Sequence, residues 1–144
     1  MANHCRLASA AAIAALNAIV DRCDTTGAGT LVIYTGTEPD YANDAAATEV
    51  ATCALAATAY SAGAADAVNH WADAELAATA SDTSATGNAS AVTHFRLIGG
   101  DAGVVLQGTV GTSGADLNLN TTTISAGAQV DITSLEVRVP YNQA

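Results

Sequence analysis

Ala91-Val92-Thr93-His94-Phe95-Arg96-Leu97-Ile98-Gly99-Gly100-Asp101-Ala102-Gly103-Val104-Val105-Leu106-Gln107-Gly108-Thr109-Val110 is the stretch that decides the fold. Its first eight residues alternate well up to Leu97, and Gly99-Gly100-Asp101 supplies a reversal. The returning run places Val104, Leu106 and Gly108 on one face. Two alternating runs joined by a glycine turn read as a β-hairpin.

Working outward, Thr30-Leu31-Val32-Ile33-Tyr34-Thr35 is a β-branched apolar run closed by Gly36 and Pro39. It has the length of a strand covered on both faces. A second strand is expected within Thr48 to Leu55, with Val50 and Cys53 as its bulkiest side chains. Ala54 to Ala67 is too rich in alanine to assign, because helix propensity there competes with Thr, Ser and Gly. Val68-Asn69-His70-Trp71-Ala72 reads as a short strand with Trp71 facing away from Val68, His70 and Ala72. Leu117 and Leu119 form a brief alternating segment, and Thr121 to Ile124 another. Val130 and Ile132 alternate in one phase and Leu135, Val137 and Val139 in the other. A bulge near Thr133-Ser134 would reconcile the two phases, and Pro140 ends that strand.

Before the strands, Asn3 to Arg22 is helical by propensity and period. Ile13, Leu16, Ile19, Val20 and Cys23 share a face, with Asn17 and Asp21 toward the other. The expected architecture is therefore a single mainly β domain over residues 1–144. An N-terminal amphipathic α-helix at 1–24 precedes a small antiparallel β-sandwich at 30–140, jelly-roll-like or immunoglobulin-like.

Composition narrows the function. The chain has 144 residues, a formal charge of -10, 50% hydrophobic residues and only 4% aromatic ones. Alanine fills roughly a quarter of it, so a core of Ala and Val buries little area per residue at about 25 cal/mol per Å². Modest monomer stability makes help from neighbours expected. All four cations among Lys and Arg are arginines, against fourteen acids. Nucleic acid and anionic membrane are poor partners for such a surface. No apolar run reaches the roughly 18 residues of a membrane span, and Ala8 to Val20 reads as a retained helix rather than a signal peptide. Cys5, Cys23 and Cys53 lack CxxC spacing and read as buried free thiols of a protein made in a reducing cytoplasm.

No catalytic constellation stands out. His4, His70 and His94 have no metal-ligand spacing, no G-x-S-x-G elbow accompanies the hydroxyls, and no cofactor or metal is expected. Glu38, Asp40, Asn43 and Asp44 share one loop without the hand-type calcium pattern, so a solvated turn is expected. Asp116, Asn118 and Asn120 form a polar row of the kind a sheet shows to water. Arg96, on the opposite side of its strand from Phe95 and Leu97, reads as a solvated or locally paired arginine, with a subunit anchor as the alternative. Tyr41 and Trp71 are the other interface candidates.

Three stretches carry a resemblance: Thr30-Leu-Val-Ile-Tyr-Thr-Gly-Thr-Glu-Pro39 after a helix, Phe95-Arg96-Leu97 before a glycine turn, and the run from Gly108 to Leu135. Together they resemble small Ala- and Thr-rich structural proteins of tailed bacteriophages. The resemblance implies a virion protein rather than an enzyme, and it carries over no catalytic residue. It further implies a capsid cement or decoration protein on the outer capsid surface, partnered by the major capsid protein and by copies of itself. A neck, tail or tail-fibre component is the alternative. A carbohydrate-binding module or adhesin using Trp71, Tyr60 or Tyr41 is a further one.

Overall fold

The computed structural model describes residues 6–45 and 47–141. Helix α1 spans Ser9–Val20 and tightens into a 3-10 turn at Asp21–Asp24. The strands follow as β1 (Thr30–Thr35), β2 (Thr48–Ala54), β3 (Ala64–Asp66), β4 (Trp71–Glu75) and β5 (Ala80–Asp82), then β6 (Val92–Ile98), β7 (Val104–Gly111), β8 (Leu117–Asn118), β9 (Val130–Ile132) and β10 (Glu136–Pro140). The chain is mainly β. Seven strands form a curled sheet in the order β8-β7-β6-β1-β2-β5-β9, and three form a small one in the order β10-β4-β3. The end strands β8 and β9 face each other across a gap of about 290 Å³ lined by Leu117 to Asn120 and Asp131 to Ser134. One expectation is corrected here: β8 pairs with β7 in parallel, so the large sheet is not wholly antiparallel.

The register explains why the hairpin sequence is decisive. Leu31 pairs with Leu97 and Leu97 with Leu106, while Ile33 pairs with Phe95 and Phe95 with Gly108. These rows of one face form the centre of the core, where Leu31, Ile33 and Leu97 are fully buried. Gly108 is required opposite Phe95, because a Cβ there would come within 2.7 Å of the ring. On the other face, Val32 aligns with Arg96 and Gln107, and Tyr34 with His94 and Thr109. β1 is covered on both faces, as its unbroken apolar run predicts.

Helix α1 lies against β4, β10 and β3. The contact is close because its partners are small: Ala72 and Ala74 of β4 are buried, and Gly63 sits against Leu16 and Asn17. The Asn17 carboxamide oxygen accepts a 2.7 Å bond from the Gly63 N–H, tying the helix to the start of β3. The helix is shorter than the 1–24 expected, and His4, Cys5 and Asn3 lie outside the described residues. Its buried stripe is Ala12, Leu16 and Val20, continued by Cys23, with Ile13 and Ile19 only half-buried. At so close an approach the central positions go to small or well-directed side chains.

Three strand expectations are corrected. Val68 and His70 belong to a turn, with β4 starting at Trp71, and Val68 is 85% exposed. The cause is Asp66, whose carboxylate accepts from the Val68 and Asn69 N–H groups at 2.8 and 2.9 Å and from the Asn69 side chain at 2.7 Å. That local capture outcompetes a ladder and leaves His70 at φ 60. The change of phase near Thr133-Ser134 is likewise no bulge. There the chain leaves the large sheet at β9 and enters the small one at β10, so each phase serves a different sheet. Thr121 to Ile124 forms no strand, although Thr122 and Ile124 carbonyls accept from Val92 and Asn88.

Candidate interaction surface

Arg96 does not reach the surface. It is 4% exposed, with Nε donating to Gln107 Oε1 at 3.0 Å and its guanidinium carbon 5.8 Å from the centre of the Tyr34 ring. Gln107 in turn donates to Glu38 Oε1 at 3.1 Å and to the Pro39 carbonyl at 2.8 Å, so the loop after β1 closes over this row. An anchor for another subunit needs an accessible guanidinium, and the loop removes it. Arg96 Nη2 and His94 Nε2 are buried without a hydrogen-bond partner. His94 stacks on Tyr34 at 5.2 Å, and burial holds its pKa below the ordinary value. Thr93 Oγ1 gives its proton to the Gly36 carbonyl and lies 2.9 Å from His94 Nδ1, which assigns the ring proton to Nδ1. The row holds the loop to the sheet.

Tyr41, at the tip of that loop, is 73% exposed and free for contact. Asp40, Asn43 and Asp44 beside it are exposed too, whereas Glu38 is turned back to Gln107. Trp71 is half-buried under Arg138, whose guanidinium carbon lies 4.2 Å from the ring centre. Tyr60 is buried, which removes it from any sugar-binding role. The structure therefore does not bring Arg96, Tyr41 and Trp71 together. Among the described residues, no group of three or more His, Cys, Asp or Glu could hold a metal ion, and no helix is long and apolar enough to cross a membrane. Cys23 and Cys53 are buried free thiols, and burial pushes them up to about 11 and about 12 respectively. Cys5 lies outside the described residues.

The surface feature that sequence reading missed is the open edge of the small sheet. The Leu76 N–H donates to the Leu135 carbonyl and the Tyr141 N–H to the His70 carbonyl. With the β10–β4 register, these bonds place residues 135, 137, 139 and 141 in hydrogen-bonded pairs with β4. The backbone groups of Glu136 and Arg138 then point the other way, to an edge where no strand lies among the described residues. Beside it runs an open groove of about 570 Å³, with Phe95, Leu106, Gly108 and Val137 among its apolar lining and Asp116 at its rim. Arg138 donates to Glu136 from Nε and Nη2, with Nε to Oε1 at 2.7 Å. Pairing partners are not encoded locally, so only the proline at position 140 hints at an edge. Comparison with protein-family models, with curated proteins and with solved structures found no match to this chain.

Proposed function

We propose that this chain is a structural protein of a tailed-bacteriophage virion, of the capsid cement or decoration type. It binds the outer capsid surface, holds neighbouring major capsid subunits together and performs no chemistry. The two sheets act as the halves of a small sandwich of jelly-roll or immunoglobulin-like kind, built on their shared core. The observation that carries the reading is the β10 edge, unpaired among the described residues, beside an open groove of mixed apolar and polar lining, in a domain whose core is light in bulky residues. An exposed edge is an association site unless something covers it. A lattice supplies the cover in many identical copies, and each contact adds stability to a modest fold. The acidic surface suits the outside of a shell that encloses DNA. Particles assembled without the protein should lose heat resistance, and adding purified protein should restore it. Equal resistance with and without it would remove the cement role.

A further inference from the structure

We infer that the groove beside β10 receives residues 1–7 of a neighbouring copy as an added strand, so that copies are linked by exchanged N-terminal segments. The inference deepens the assembly reading above and rests on it for the choice of a neighbour over the same chain. The N–H groups of Glu136 and Arg138 and the carbonyls of Glu136, Arg138 and Pro140 face this edge, which is the backbone pattern an extended segment completes. The missing N–H of Pro140 limits the ladder to a short one.

Segment 1–7 matches the groove in pattern. Met1-Ala2-Asn3-His4-Cys5-Arg6-Leu7, when extended, carries Met1, Asn3, Cys5 and Leu7 on one side, apolar but for Asn3, and Ala2, His4 and Arg6 on the other. The apolar side suits the lining formed by Phe95, Leu106 and Val137. Leu7, just ahead of α1, is 48% exposed. The basic side suits the edge, where Glu136 of β10 and Asp116 at the groove's rim are the acids and Arg138 the one arginine. Arg6 is one of only four cations in a chain of charge -10, so its sign is the scarce one on this surface. A second β10 edge would bring another Glu136 to the same place, whereas the segment carries no Asp or Glu.

The test is the mass of the full-length protein in solution by size exclusion with light scattering, at micromolar concentration and low salt. Two variants accompany it, a deletion of residues 2–6 and Arg138→Pro. The proline removes an N–H that the β10–β4 ladder does not use, so circular dichroism should match the parent. The parent should be a multimer and both variants monomers. If Arg138→Pro does not fold, Glu136→Lys decides in its place, with roughly tenfold weaker association expected from repulsion of Arg6. A monomeric parent overturns the inference, as does a multimer that survives the deletion, including one made by pairing two β10 edges. Binding of each variant to empty capsids separates the two readings. A monomeric parent that still binds them ends the exchange and leaves the cement role standing.

Discussion

His94 and Arg96 sit side by side on the covered face of the large sheet, and their chemistry predicts opposite responses. Burial, the main cause, keeps the imidazole below its ordinary 6.5, with Arg96 adding to the effect and Glu38 opposing it. Below about 6.5 the unfolded chain binds a proton that the folded chain resists, so stability falls as pH drops until His94 titrates in the fold as well. Urea midpoints should therefore decline from about pH 7 to about pH 5, and His94→Asn should flatten that slope. An unchanged slope would count against the assignment. For Arg96 the comparison is between removing the charge and removing its partner. Gln107→Ala leaves a buried guanidinium without its bond and should cost about 2 kcal/mol or more, whereas Arg96→Met should be near neutral. Denaturant unfolding of both variants measures the difference. The thiols of Cys23 and Cys53, raised by burial, should resist alkylation at mild alkaline pH in a Cys5→Ser background until the protein unfolds.

The contact of α1 with β4 depends on the smallness of Ala72 and Ala74. Ala74→Leu should destabilise by about 1–3 kcal/mol through overpacking, read as a lower thermal midpoint. A midpoint within error of the parent would mean that the helix is free to back away. The same element shows what sequence could and could not tell. β1 and the β6–β7 hairpin were legible because their patterns are local: an unbroken apolar run, an alternation and a glycine turn. β4 was misplaced because the Asp66 side chain seizes the next N–H groups, an event that hydropathy does not record. The break between β9 and β10 was visible as a phase change, but a bulge and a change of sheet leave the same trace in one sequence. Arg96 was rightly placed on the side away from Phe95, and whether it is solvated or paired was left open, since its cover comes from Glu38 and Pro39 some sixty residues earlier. The open edge was invisible for the same reason, because an edge is defined by pairings that never form.

Across the whole molecule, order should radiate from the middle of the large sheet. β1 is paired on both sides and buried on both faces, so its amides, with those of β6, should exchange slowest with deuterium. β3, three residues long and exposed, should exchange among the fastest strands. Equal protection of the two would show that the small sheet and the large one open only together. The alanines of β4 gain a meaning from the close fit of α1 on that strand. Buried Ala72 and Ala74 set the distance between helix and strand. Repetition at those sites is a spacing requirement, and in a mutational library they should accept glycine or serine far more readily than any branched residue. The repeated alanine of this strand is then the trace of a narrow steric filter, under which the protein can drift freely at its surface and hardly at all along this seam.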